Sequence, residues 1–161
     1  MPVKYMPTAD KILTLESLIK KRQEWKDQKV VFTNGCFDIL HLGHVDYLEK
    51  AASKGNKLIV ALNTDASVSK LKGPTRPINN EIARARIMAA LSFVDAVVFF
   101  SEDTPLSLIK RLKPDVLVKG SDYTISNIVG ADIVMENGGK VETIELVDGY
   151  STTNIINKIN Q

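Results

Sequence analysis

Two histidines occur in the 161-residue chain, His41 and His44, and they flank Gly43 within one four-residue stretch. Before them runs Thr33-Asn34-Gly35-Cys36-Phe37-Asp38-Ile39-Leu40, itself preceded by an apolar run; after them comes a segment with helical spacing. A strand, a loop and a helix N-terminus in series leave backbone N–H groups unpaired and partly positive at the end of the loop. Such a terminus attracts an anion, and phosphate is the obvious candidate. The imidazoles add donors for phosphate oxygens, and Gly43 lets the backbone approach a ligand closely. The pair, the glycine and the helix start together favour chemistry over two structurally satisfied core histidines. A zinc site is a weak alternative, because the chain has no third histidine and one cysteine, Cys36.

A second constellation stands near the C-terminus, where Gly149-Tyr150-Ser151-Thr152-Thr153 opens the last helical segment. Its three hydroxyls at a helix N-terminus suit β- and γ-phosphate oxygens, although alone they would read as an ordinary N-cap. Lys72 lies in KLKGPTRPINN, which glycine and prolines mark as a loop able to close over a site. Lys70, Arg76 and Arg86 are nearby cations, and for Lys70 and Arg86 a solvated basic surface is the better reading. Asp38 and Asp65 each follow an expected strand, where a sheet delivers carboxylates to a site. Asp38 is open to orienting a histidine, holding Mg²⁺ indirectly or binding an acceptor hydroxyl, and Asp65 to binding an acceptor hydroxyl.

Five strands are expected to position these groups, at Val30–Thr33, Lys57–Leu62, Ala96–Phe100, Val116–Val118 and Val141–Ile144. Between them the spacing predicts helices over HVDYLEKAASK, closed by Gly55; over IARARIMAALSF from Asn80; and over LSLIKRL, capped by Thr104 with Pro105 in its first turn. A leading helix, LESLIKKRQEW after Thr14, reads as an accessory element outside the sheet, and Ser151 caps a final TTNIINKI helix. The fold class is therefore α/β, a mostly parallel five-stranded sheet with helices on both faces. Its ligand belongs at the carboxyl ends of the strands, near the reversal of strand order.

Composition bounds the rest. With 44% hydrophobic and 25% charged residues the chain is of ordinary globular make-up, which excludes wholesale disorder and collagen-like repeats. A formal charge of +2 is too small to announce a nucleic-acid or membrane surface, so any anion binding is local. A lone cysteine makes no internal disulfide, no apolar run is long enough to cross a bilayer, and no secretory signal opens the chain. The expectation is one cytoplasmic domain over 1–161, with a leading accessory helix in 1–28 and a catalytic core in 29–161.

The string Gly35-x-Phe37-Asp38-x-x-His41-x-Gly43-His44 resembles the signature of the HxGH nucleotidyltransferase superfamily. Its members transfer a nucleoside monophosphate from a nucleoside triphosphate to a phosphate-bearing acceptor. The Gly149-Tyr150-Ser151-Thr152-Thr153 string is similar to that superfamily's second element. Four longer strings, KGPTRPIN, DAVVFFSEDTP, LKPDVLVKGSDY and ENGGKVETIELVDGYSTTNII, resemble one branch, the D-glycero-β-D-manno-heptose 1-phosphate adenylyltransferases that make ADP-heptose. The resemblance spans essentially the whole chain. It implies a Rossmann-like nucleotidyltransferase fold, ATP as substrate, a sugar phosphate as acceptor, and Mg²⁺ held mainly by the ATP phosphates with no protein metal site. It further implies a homodimer without nucleic-acid or membrane partners, serving lipopolysaccharide or surface-glycan synthesis. The sugar-kinase domain fused to this activity in some bacterial forms is not expected within these residues.

By the same resemblance His41, His44 and Lys72 carry catalysis. Thr33, Asn34, Gly35, Phe37, Gly43, Arg84, Lys119, Gly120, Asp122, Ser151, Thr152 and Thr153 meet the nucleotide, and Asp38 and Asp65 meet the acceptor. Two departures stand out. Ser121 replaces a glycine of the usual KGGDY, and Ala83 replaces an acidic residue before Arg84, which would leave Arg84 freer to meet phosphate. The acceptor phosphate is already an anionic nucleophile, which accounts for the lack of a Ser-His-Asp set or a carboxylate pair. A cytidylyltransferase acting on glycerol 3-phosphate or a related alcohol phosphate is the alternative. A regulatory module without turnover is disfavoured because both histidines and all three hydroxyls remain, and a dinucleotide-dependent dehydrogenase because the first loop lacks G-x-G-x-x-G.

Overall fold

The computed structural model describes residues 5–161; residues 1–4, which begin the expected leading segment, lie outside the described residues. The centre is a five-stranded sheet of β1 (Val30–Gly35), β2 (Lys57–Asn63), β3 (Ala96–Phe100), β4 (Val116–Gly120) and the more polar edge strand β5 (Lys140–Ile144). They pair in parallel in the order β3-β2-β1-β4-β5. Strand periodicity sends Val30 and Phe32 to one face and Val31 to the other, while β2 divides Ile59 and Ala61 from Leu58, Val60 and Leu62. Both faces are covered, which is why β1 and β2 read as unbroken apolar runs.

One face is covered by α2 (Leu15–Glu24), α6 (Leu106–Leu112) and α7 (Ala131–Glu136), which bury Leu18, Ile109 and Val134 against the sheet. The other is covered by α3 (Leu42–Ala52) and α5 (Glu81–Ala90), which bury Leu48 and Met88. A one-turn α1 (Thr8–Lys11) precedes α2, α4 (Asp65–Lys72) follows β2, and α8 (Thr152–Ile159) closes the chain. The chain builds outward from β1 through β2 to β3. It then returns across the sheet to add β4 and β5 on the other side of β1. The reversal therefore falls between β1 and β4, whose carboxyl ends are Asn34-Gly35 and Lys119-Gly120.

Several boundaries differ from expectation. The KLK of the expected loop is helical, because Thr64 accepts a hydrogen bond from Ser67 N–H and starts α4; the loop proper begins at Gly73, whose φ is 103°. Its apolar positions are few, so the segment carries little periodic signal. The start of α6 has Pro105 as its N-cap residue and no side-chain cap, so Thr104 does not serve as one. Helix α3 starts at Leu42, with His41 as N-cap residue, and ends with Ser53 rather than Gly55 as its C-cap. Gly55 serves a different need, since a Cβ there would stand 2.6 Å from the Lys29 carbonyl oxygen. Helix α7 and a short 3-10 turn at Ile125–Asn127 are additions to the expected elements. As expected, Thr14, Asn80 and Ser151 cap α2, α5 and α8 through their side chains.

Helix α2 is more than an external accessory. Leu18 is fully buried, and Arg22 donates to the Leu112 and Lys113 carbonyls and to Asp115 at 3.0 Å, whose carboxylate also accepts from Val30 N–H. Leu18→Ala should therefore cost about 2–5 kcal/mol in urea unfolding, the range for emptying a core position. A cost near zero would make α2 a detachable appendage.

Candidate active site

The β1–β4 reversal opens into a cleft of about 680 Å³ lined by both constellations found in the sequence. That volume is in the range of small-molecule sites. Backbone geometry brings the two helix termini together. His41 and Ser151 are the N-cap residues of α3 and α8, and a Cβ added at Gly43 would approach His41 Cε1 to 2.9 Å and Tyr150 Cβ to 3.3 Å. Glycine is thus required at 43 because the His41 ring and the Tyr150 segment both press on it.

The two imidazoles stack, with centroids 3.7 Å apart and planes at 25°. Among the described residues neither Nδ1 has a hydrogen-bond partner, although both are buried. A buried acceptor without a partner is less costly than a buried N–H without one, which favours the tautomer carrying its proton on Nε2. Burial lowers the His41 pKa; burial, reinforced by His41 and opposed by Asp38, pushes His44 down to about 4. At neutral pH both rings are uncharged donors.

Around this pair the cleft is lined by Asn34, Gly35, Phe37, Lys72, Lys119, Gly120 and Asp122. Ser151, Thr152 and Thr153 line the same cleft. Lys72, the last residue of α4, is exposed and forms no ion pair among the described residues. Lys119 is partly buried. Its Nζ lies 3.4 Å from the Asn34 carbonyl and 5.1 Å from the Tyr123 ring centre, and burial lowers its pKa against the pull of Asp122.

Four sequence candidates are placed differently. Arg84 is fully buried and is not free to meet phosphate. Its guanidinium donates to the carbonyls of Cys36, Asn63 and Asn79 and to Asp65 at 2.8 Å. Asp65 thereby supplies the acidic partner that Ala83 does not, and its carboxylate is turned to Arg84 rather than to the cleft. Asp38, 2% exposed, accepts from Ile78 and Asn79 N–H at 2.8 Å each and from Arg76 Nε at 3.3 Å. Its oxygens hold the 76–79 loop rather than a histidine. Thr33 lies beneath the cleft floor, where its hydroxyl pairs with Tyr47 at 2.7 Å and donates to the Val118 carbonyl.

Of the remaining cations, Lys70 pairs with Asp103 at 2.6 Å on the surface, and Arg86 is exposed. Sequence reasoning missed Tyr47, which ties α3 to β4, and Asn63, which ends β2 in the cleft and pairs with Ser67. A polar residue closing an apolar strand was the available signal for Asn63; the Tyr47 contact depends on tertiary packing. No cluster of three or more His, Cys, Asp or Glu side chains suited to a metal occurs among the described residues. With Asp38 committed to the loop, the donor set fits a divalent ion that arrives on phosphate oxygens rather than one caged by protein.

A parallel sheet with paired helix N-termini, imidazoles and hydroxyls at its reversal point is the construction of a nucleotidyl-transferring enzyme. Residues 32–158 match the Cytidylyltransferase-like family model, and the chain belongs to that family of nucleotidyltransferases. It is 55% identical over 153 residues to "Bifunctional protein HldE" of Methylobacillus flagellatus, covering 94% of this chain and 31% of that protein. The protein of the same name from Paramagnetospirillum magneticum is 57% identical over 148 residues, covering 92% and 30% respectively. The chain thus spans about a third of the length of these relatives. Among solved structures, the lipopolysaccharide core biosynthesis protein from Thermoplasma volcanium GSS1 superposes with a TM-score of 0.60 at 28% identity, covering 77% of this chain and 99% of that one. Pantoate-beta-alanine ligase from Francisella tularensis gives 0.60 at 18% identity, covering 92% and 77%, a likeness of fold alone.

Two outcomes follow from the site's electrostatics. Below the ordinary histidine value of 6.5, the unfolded chain takes up protons that folded His44 refuses until about pH 4. Stability therefore falls as pH drops through that window and gains no slope from His44 above it. Urea unfolding between pH 7 and 4.5 should show the decline, and His44→Gln should flatten part of it; an unchanged slope would contradict the neutral buried ring. Arg84→Met should lower stability by about 3–5 kcal/mol, as for a broken buried charge network, and Arg84→Lys should recover little because it cannot serve four partners. Denaturant midpoints measure both.

Proposed function

We propose that the protein transfers an adenylyl group from ATP to D-glycero-β-D-manno-heptose 1-phosphate, giving ADP-heptose and pyrophosphate. One observation carries the reading: two helix N-termini, with neutral His41 and His44 on one and Ser151–Thr153 on the other, face a single cleft at the strand reversal. The cleft is built for several phosphates and needs no proton acceptor. The heptose acceptor is supported by the KGSDY and VDGYSTTNII strings. It is supported also by the 28% identity to a lipopolysaccharide core biosynthesis protein.

In the reaction an acceptor phosphate oxygen attacks the α-phosphorus of ATP. A new P–O bond forms, the bond to the β-phosphate bridge breaks, and pyrophosphate leaves with that electron pair. No proton must move, so the protein's work is to align two anions and stabilise the charge that spreads over the transferred and leaving groups. His41 and His44 donate through Nε2 to α- and β-phosphate oxygens, while Ser151, Thr152 and Thr153, with the α8 N–H groups, hold the leaving pyrophosphate. Lys72 meets the attacking and α-phosphates from the end of α4. Asn34, Gly35, Gly43, Lys119, Gly120 and Asp122 shape the nucleotide's bed, whereas Asp38 and Arg84 act by holding the loops and Phe37 by packing against His44. Mg²⁺, carried by the triphosphate and water, supplies further charge neutralisation. On this reading residues 29–161 form the catalytic core behind the leading segment 1–28. A cytoplasmic homodimer would feed lipopolysaccharide or another surface glycan.

Pyrophosphate release should be fast with ATP and heptose 1-phosphate and slow with CTP and glycerol 3-phosphate. A strong preference for CTP would overturn the heptose assignment. His44→Ala should lower turnover about 10²–10³-fold, as for loss of one donor to developing charge, while the thermal midpoint falls little. Parallel loss of turnover and fold would make the ring structural instead.

A further inference from the structure

His44 presents a physical problem that the donor role alone does not answer. An imidazole that contacts a ligand is ordinarily oriented through its other nitrogen as well, which donates its N–H to a carboxylate or carbonyl or accepts from a neighbouring donor. Among the described residues the His44 Nδ1 has none. The nearest acidic side chain in its own loop, Asp38, is committed to Arg76, Ile78 and Asn79. Something else must hold the ring.

Phe37 stands where such a support is needed. It is one of two non-glycine residues with positive φ among those described, at 45°, a conformation rare for a bulky side chain. This turn directs the ring inward rather than to solvent, leaving the residue 8% exposed. The ring packs beneath Gly35, where an added Cβ would meet Cε2 at 2.9 Å, and meets the His44 ring with centroids 5.2 Å apart and planes at 70°. Tyr47 backs it at 6.5 Å. The His44 imidazole is thus gripped by the Phe37 ring and the His41 stack.

We propose that Phe37 is a positioning residue for His44, its inward ring replacing the hydrogen-bond partner that would otherwise orient the imidazole and keeping water from its buried side. The glycine before Cys36 is then part of the same device, since a side chain at Gly35 would displace the Phe37 ring. The grip also explains how the ring stays a neutral donor. A carboxylate partner on Nδ1 would fix orientation too, but would stabilise the protonated imidazolium. An apolar wall fixes orientation and, by keeping the imidazole out of water, disfavours the charge through desolvation. Of the titratable groups facing His44, His41 on the same helix opposes its protonation and Asp38 from the β1 loop favours it. Lys72 of α4 and Lys119 of β4 are the other titratable cations that line the cleft with it, beside Arg76, which Asp38 holds.

The test is an NMR titration of the two histidines in the full chain, with Phe37→Ala and Phe37→Asn beside the wild type. His44 should titrate far below ordinary histidine in the wild type and move up by about one pH unit or more when the apolar wall is lost. An ordinary wild-type midpoint, or a His44 midpoint unmoved in a folded Phe37→Ala variant, overturns the proposal. Should Phe37→Ala fail to fold, Phe37→Asn, which tolerates a positive φ and admits water beside the ring, decides. The kinetic arm rests on the proposed adenylyl transfer: Phe37→Leu should lower kcat about tenfold with little change in KM for ATP. Added to His44→Gln, it should cost nothing more. Additive losses would mean that Phe37 acts independently of His44. Because the titration needs no turnover, it decides the role of Phe37 even if the adenylyl-transfer reading fails.

Discussion

The structure depends first on a guanidinium buried where no water reaches it. Arg84 satisfies three carbonyls and one carboxylate drawn from the β1 loop, the end of β2, the approach to α5 and the start of α4. A buried charge is costly unless its donors are used, so these four segments are not free to drift independently. Two consequences follow directly. Holding the Cys36 carbonyl fixes the residue before Phe37, and holding the Asn79 carbonyl fixes the loop that Asp38 grips from its other side. Arg84 never enters the cleft, yet it sets the spacing between the histidine loop and the loop that leads back to Lys72.

This arrangement shows what the sequence could and could not disclose. The five strands, their parallel order of travel and the two capped helix termini were legible because apolar period, glycine and hydroxyl caps are local signals. The cleft's position followed from them, since a parallel sheet has one strand reversal and binds there. The roles of Arg84, Asp38, Asp65 and Thr33 were not legible, because a charged or polar residue near a phosphate motif looks the same whether it faces ligand or braces backbone. The deciding facts are long-range: Arg84 reaches Cys36 across 48 positions, and Asp38 accepts from Asn79 across 41. Helix α4 was hidden for a different reason, its first turn being nucleated by the Thr64 cap while its later residues look like surface loop.

The near-neutral charge of the chain takes on a physical meaning at the site. Three of the cations around the site are paired with carboxylates: Arg84 with Asp65, Arg76 with Asp38 and Lys70 with Asp103. Lys72 and Lys119 remain at the cleft, alongside helix N-termini and neutral imidazoles. Dipoles and N–H donors hold anions without the repulsion that a cluster of fixed positive charges would create in the empty site. A cleft so composed is stable before its ligand arrives, because its donors do not repel one another.

Repulsion between like charges also accounts for histidines that are stacked rather than spread. Two imidazolium rings 3.7 Å apart would repel strongly, so stacking is stable while at least one ring is neutral, and burial ensures that state at physiological pH. Stacking in turn demands glycine at 43, since a Cβ there would enter the His41 ring, and demands an apolar wall behind His44, which Phe37 supplies. The sequence string from Gly35 to His44 is therefore a packing solution as much as a set of ligands. Gly35 admits the Phe37 ring, Phe37 bears on His44, Gly43 admits His41, and Asp38 secures the neighbouring loop. Each residue is constrained by the one it makes room for, and the donors that reach the cleft follow from those constraints.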